Sequence, residues 1–431
     1  MKKSKFVKSV LILTIGGLIT KIISMLIKIV LARCLGTEGM GIYMLIMPTF
    51  TLLMALSSLG LPASISKLVA EDTKNNKNLV FSVIPISLVF NFFIILILLS
   101  TSKFISNVLL KEPRSYYALI SIGFVLPFIG ISSILRGYFF GKEKMIPHVF
   151  SNVTEDLVRL VFLIIGIPIF IKKGIEYAAA YVVLVNIISE LTSIIVLFFF
   201  VPKGFKISKN DIKPDKMNIK DAFSVGIPTT ASRIIGSIGF FLEPIILTFA
   251  LNKCGYINSY IVNEYGIISG YIVPLILLPS FFTLAISEAL IPSVSKEYCK
   301  RNYKYVKARI KQAIFFSLLI GIPATFIFEF ASEVPMKFIY NTLDGINYLK
   351  ALAPIALLHY IQSPLTASLQ AMGKAGEAMK GTIYGTIIRT VTLLIFSLMN
   401  IGMWGLIISI SANIVFVTYH QYKQVKKCLY I

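Results

Sequence analysis

About twelve apolar stretches, each about 20 residues or longer, run the length of the chain, separated by glycine, proline or charged residues. Crossing a bilayer takes about 20 apolar residues in a helix, so this pattern predicts a polytopic all-α membrane protein with about twelve transmembrane helices. The predicted spans lie near 8–32, 39–62, 79–101, 116–135, 146–171, 177–201, 222–250, 264–290, 312–331, 349–371, 379–398 and 401–420. They use most of the 431 residues and leave only short loops, which excludes a soluble catalytic domain. Composition agrees: 56 % of residues are hydrophobic and 14 % charged, against roughly a quarter charged in soluble domains. No covalent chemistry and no cofactor are expected. Cys34, Cys254, Cys299 and Cys428 are far apart, as are His148, His359 and His420, and neither set has metal-ligand spacing.

A formal net charge of +22 would suggest a nucleic-acid partner in a soluble protein, but in a polytopic one Lys and Arg first mark cytoplasmic loops. Placing the N-terminus inside puts about 28 basic residues on one side and about 9 on the other. Both termini are therefore expected in the cytoplasm, with membrane lipids as partners and no nucleic acid. The longest polar interval, Lys203 to Asp221, separates six spans from six. It divides the chain into a bundle at 1–202, a basic linker at 203–221 and a bundle at 222–431. Leu61 to Glu71 (LPASISKLVAE) is echoed by Ile291 to Lys300 (IPSVSKEYCK), and Gly141-Lys142 followed by Arg159 is echoed by Gly373-Lys374 followed by Arg389. Related halves of this kind usually mean a transporter that binds its substrate between repeats near mid-membrane.

Charges within spans are costly, about 2.5 to 3.5 kcal/mol each on insertion scales, so they face partners or a wet cavity. Lys21, Lys28, Arg159, Arg233 and Arg389 fall inside predicted spans, and Arg136 ends the fourth. Helical spacing puts Thr14, Gly17, Lys21, Ser24 and Lys28 on one face, and likewise Asn152, Glu155 and Arg159. Further stripes comprise Asn186, Glu190 and Ser193, then Thr229, Arg233, Gly236 and Glu243, and then Thr382, Thr386 and Arg389. Such stripes also serve as interhelical glue. Arg is scarce in this chain, eight against 34 Lys, yet it dominates at depth; a permanent charge with a planar fork suits phosphate. Lys21, Arg136, Arg159, Arg233 and Arg389 against Glu155, Glu190 and Glu243 leave a modest positive balance, which favours an anionic substrate. Glu190 and Glu243 are candidates for coupling a proton or sodium gradient. Prolines interrupt several spans, and Pro274 with Pro279 in one helix are the leading candidates for a bend.

Leu31 to Pro48 (LARCLGTEGMGIYMLIMP), Gly60 to Glu71 and Leu135 to Leu160 (LRGYFFGKEKMIPHVFSNVTEDLVRL) resemble bacterial polysaccharide-biosynthesis exporters, most closely the stage V sporulation protein B branch. These belong to the multidrug/oligosaccharidyl-lipid/polysaccharide flippase superfamily. The resemblance implies two six-helix bundles forming a V around a cationic cavity. It further implies movement of an undecaprenyl-diphosphate-linked glycan, a sugar or peptidoglycan precursor, across the bacterial cytoplasmic membrane by alternating access. Arg136, Glu155 and Arg159 lie in the matched segments and would line the cavity, joined by Lys21, Arg233 and Arg389. Many members have fourteen helices, and a chain of about twelve lacks the last pair that would hold a lipid tail. A proton- or sodium-coupled multidrug antiporter of the same superfamily is the alternative, and it would require acidic residues to dominate the cavity.

Overall fold

A computed structural model describes residues 2–71, 76–201 and 216–429. They are almost wholly helical, with no strand among the described residues. The chain packs as two compact units, Met1–Phe241 and Leu242–Ile431.

In the first unit α1 (Lys2–Ser57) carries two predicted spans as one 56-residue helix, broken only at Gly36, whose φ of 68° is left-handed. A side chain at that φ would be strained, so glycine allows the chain to kink there without a loop. Just beyond the kink, Glu38 is tied to Arg114, which also holds Glu112 through Nε at 2.7 Å. A turn at Ser58–Gly60 leads to α2 (Leu61–Glu71), followed by α3 (Asn76–Phe104), α4 (Tyr116–Gly141), α5 (Met145–Ile171) and α6 (Ile175–Phe199). Then α7 (Lys216–Lys253) begins in the first unit and ends in the second.

The second unit continues with α8 (Asn258–Gly266), a π-helical turn at Ile267–Ile272, α9 (Val273–Ile276) and α10 (Ser280–Cys299). One span was expected at 264–290; the structure breaks it by 49° between Ile276 and Ser280. Pro274 removes a backbone donor from α9 and Pro279 stands at the break, which accounts for its position. The remaining helices are α11 (Tyr303–Phe330), α12 (Ile346–Ala371), α13 (Ala375–Ser397) and α14 (Trp404–Leu429). Each of the twelve predicted spans lies mostly on helix, several running past a helix end by one to three residues. Five described helices are long and apolar enough to cross a membrane by length and composition alone, and a sixth if the bent pair is one span.

Within the first unit α5 packs on α6 and α1, and α4 on α6, α3 and α2. Its core joins Leu61 and Ile65 of α2, Leu79 and Val83 of α3, Phe139 of α4 and Leu197 of α6. Ala222 of α7 is part of that core, and the Ser64 hydroxyl donates to its carbonyl. The start of α7 thus groups with the first unit, whereas the expected division lay at 203–221, of which 203–215 are outside the described residues. In the second unit α13 pairs with α14, and α12 packs on α10, α11 and α14 around Val294, Ile310, Leu369 and Val425. Large apolar side chains such as Phe92, Ile97, Ile165, Phe199, Phe326 and Phe330 are exposed, while several acids are buried. That inversion of the soluble pattern is what a lipid surround requires.

Candidate functional site

In the first unit α4, α5 and α6 bring their charged residues to one place. Glu155 and Arg159 stand one turn apart on α5, and Arg159 Nη2 donates to Glu155 Oε1 at 2.6 Å. The other oxygen of Glu155 accepts from Arg136 of α4, so one carboxylate bridges two guanidinium groups. Arg136 reaches on to α6, where its Nη2 lies 3.4 Å from Glu190 Oε2 and 2.9 Å from Ser193 Oγ. Arg159 is also held by Asp156 Oδ1 at 3.3 Å and Ser189 Oγ at 3.3 Å. Ser132 of α4 lies beside Glu190, and Ser24 of α1 lies beside Asp156. The three carboxylates are buried, whereas the Arg136 and Arg159 side chains keep 22 % and 23 % of their surface exposed. Each guanidinium therefore still presents an edge to a ligand.

The local charge count is two guanidinium groups against three carboxylates. Two further cations lie close by: Lys21 and Lys28 flank Ser24 by one turn on either side of the α1 face that meets Asp156, and both are exposed. With them the count is four cations against three acids. Tyr43, on the second half of α1, lies within electrostatic reach of Arg159.

The second unit holds a smaller ionic centre. Arg389 of α13 places Nη2 2.6 Å from Glu243 Oε2 of α7. The other oxygen of Glu243 accepts from the Tyr265 hydroxyl of α8 at 3.3 Å. Glu243 is thus paired with Arg389. Arg233, within the first unit, is exposed, with Nη1 3.5 Å from Ser58 Oγ. The structure therefore brings together Arg136, Glu155, Arg159 and Glu190 in the first unit, with Lys21 on the α1 face that meets Asp156, and joins Glu243 to Arg389 in the second. The side chains of Thr14 and Thr229, members of two predicted stripes, lie outside the described residues.

Sequence reasoning did not single out Ser132, Ser189, Tyr43 or Tyr265. A signal for the two tyrosines exists in the repeat: the second helical segment of each unit places one near the arginine of the fifth, Tyr43 with Arg159 and Tyr265 with the Arg389 pair. A buried ion pair of this kind contributes little net stability, because desolvation offsets most of the attraction. Among the described residues no group of three or more His, Cys, Asp or Glu could hold a metal ion.

Comparison with known proteins adds to this geometry. Residues 6–298 match the family described as polysaccharide biosynthesis protein, and residues 244–399 match the family described as MatE. Over its full length the chain is 36 % identical to stage V sporulation protein B of Bacillus subtilis, of which it covers 85 %. It is 23 % identical to the lipid II flippase of the same bacterium, with 90 % of this chain and 76 % of that protein aligned. Among solved structures, an inward-facing multidrug resistance MATE family transporter of the MOP superfamily superposes with a TM-score of 0.70 at 19 % identity, over 95 % of both chains. The all-helical fold is thus that of a multi-span membrane transporter.

Proposed function

The chain belongs to the polysaccharide biosynthesis protein family, a branch of the MOP transporter superfamily, and from that premise we propose that it flips an undecaprenyl-diphosphate-linked sugar or peptidoglycan precursor across the bacterial cytoplasmic membrane. One observation carries the reading: Arg136 and Arg159 are held side by side by a single carboxylate, with their outer edges open and Lys21 nearby. Two planar forks so placed match the paired phosphates of a diphosphate. The phosphate oxygens take over hydrogen bonds that Glu155 and Asp156 accept in the free protein, so binding exchanges one set of anions for another without leaving a cation bare. Arg233 and Arg389 extend the set of candidate ligands. The glycan follows the diphosphate while the tail stays in lipid, and the protein alternates between two states. Both termini and the basic loops face the cytoplasm in this reading. No bond is made or broken in the substrate.

A second reading has its own support. Within the α4–α6 cluster the carboxylates outnumber the arginines, and an excess acid in a low dielectric takes up a proton or a sodium ion. Glu190, with its longer 3.4 Å contact to Arg136, is the acid best placed for it. Such uptake would couple the flippase to a gradient, or drive drug antiport in place of it.

Native mass spectrometry of purified protein with undecaprenyl-diphosphate-linked precursors separates these readings. Wild type is expected to bind selectively. Arg159→Ala should weaken binding about ten-fold or more, and Arg159→Lys, which keeps charge without the fork, should fall between. Arg233→Ala tests whether the separate arginine contributes. Equal binding by wild type and all three variants, or preference for organic cations, overturns the flippase reading.

A further inference from the structure

The two ends of the second unit differ in chemistry. At one end α10 finishes, α11 begins and α14 finishes, exposing Lys300, Arg301, Lys304, Lys423, Lys426 and Lys427. The acids there, Glu297 and Glu377, are each paired with a lysine. At the opposite end the 254–257, 341–345 and 398–403 connections gather Tyr256, Tyr260, Tyr348 and Trp404, the chain's one tryptophan. Tyr256 and Tyr260 stack with centroids 5.2 Å apart, and Tyr348 meets Trp404 edge to face at 5.2 Å. The Tyr348 hydroxyl donates to Glu264 Oε2 at 2.7 Å, with Tyr260 beside it. Tyr256 donates to the Asn400 carbonyl at 3.2 Å. Gly402, at φ 60°, lets the backbone close over these hydroxyls, since a Cβ there would stand 2.9 Å from the Tyr260 oxygen.

Interfacial Trp and Tyr of a membrane protein form belts with their rings at the headgroup level. Here the rings form two pairs, Tyr256 with Tyr260 and Tyr348 with Trp404, and the Tyr348 hydroxyl is committed to the Glu264 carboxylate. Trp404 remains 40 % exposed. Open aromatic faces beside a fixed acceptor suit a ligand with both C–H faces and hydroxyl donors, and the carboxylate repels a phosphate. We propose that this aromatic cluster around Glu264 is a carbohydrate subsite on the extracytoplasmic rim of the second unit, receiving a sugar ring of the transported glycan. It rests on the flippase reading for its ligand and on the basic opposite end for its side of the membrane.

Trp404 supplies the readout. Protein in phosphatidylcholine/phosphatidylglycerol nanodiscs, free of glycoside detergent, is titrated with diacetylchitobiose and separately with maltose while tryptophan emission is followed. A saturable change with at least one disaccharide is expected, with half-saturation about ten-fold weaker in Glu264→Gln, which keeps the side-chain shape. Emission that ignores both disaccharides, responds identically in Glu264→Gln, or follows phosphatidylglycerol content instead overturns the subsite. Parallel native mass spectrometry keeps the two proposals distinct. Precursor binding with silent emission defeats only the subsite, and a saccharide response without precursor binding defeats the diphosphate reading.

Discussion

Glu155 is the residue on which the first ionic centre turns, because each of its oxygens neutralises a different arginine. Glu155→Gln removes the shared charge and leaves Arg136 and Arg159 with only their longer contacts, to Glu190 at 3.4 Å and Asp156 at 3.3 Å. Breaking such a pair from one side costs about 3 kcal/mol, so melting in detergent should move down by several degrees. Replacing Arg389 and Glu243 together by Met and Leu should leave stability within about 1 kcal/mol, since the pair's desolvation cost disappears with it. Arg389→Ala alone should be markedly destabilising. A thermal-shift series over the four proteins checks the pattern, and equal losses for the single and double substitutions of the second centre would show that the ion pair itself is not the determinant. The spacing of Glu155 and Arg159 was legible in the sequence because both sit on one helix. The partnership of Arg136 with Glu155, 19 residues away on another helix, was not: it depends on the register of α4 against α5, which no local period encodes. Glu243 and Arg389, nearly 150 positions apart, illustrate the same limit.

At the scale of elements, α4 owes its close approach to α2 to absent side chains. A Cβ on Gly137 would stand 2.7 Å from the Pro62 carbonyl oxygen, and one on Gly141 would stand 2.6 Å from that of Ser66. Both obstacles are backbone, so they cannot yield by a rotamer change. Gly137→Ala is expected to cost about 1–3 kcal/mol. Gly123→Ala, where the nearest atoms are 3.5 Å away or more, is the control and should be close to neutral. Denaturation of the two variants in the same detergent decides it, and similar stability would mean that α2 moves off α4 freely. Helix positions were legible because apolar length is a strong signal in membrane chains. The spans near 8–32 and 39–62 read as two helices joined at 33–38, and the structure sets the kink between them at Gly36, with no loop and with Glu38 paired to Arg114 just beyond it. The break in the eighth span was legible, being written in Pro274 and Pro279.

For the whole molecule the decisive quantity is the sidedness of charge, since it assigns direction to everything else. The basic end of the second unit exposes Cys299 next to Lys300, whereas Cys254 lies at the aromatic end and Cys428 is buried. If the basic end faces the cytoplasm, a membrane-impermeant maleimide should label Cys299 in inverted vesicles and leave it unlabelled in intact cells. Cys299→Ser should abolish the cytoplasmic label. The result reaches beyond topology. A cytoplasmic Cys299 puts the Glu264 aromatic cluster on the far side, where a glycan is delivered and a carbohydrate contact speeds its withdrawal from the diphosphate site. Labelling of Cys299 from outside would instead put the aromatic cluster on the loading side, convert its role from release to selection of the incoming sugar, and remove the charge argument that both termini lie in the cytoplasm. Because Cys299 belongs to the protein as it stands, the measurement needs no substitution to give its first answer, and the same preparation carries Trp404 for the saccharide titration.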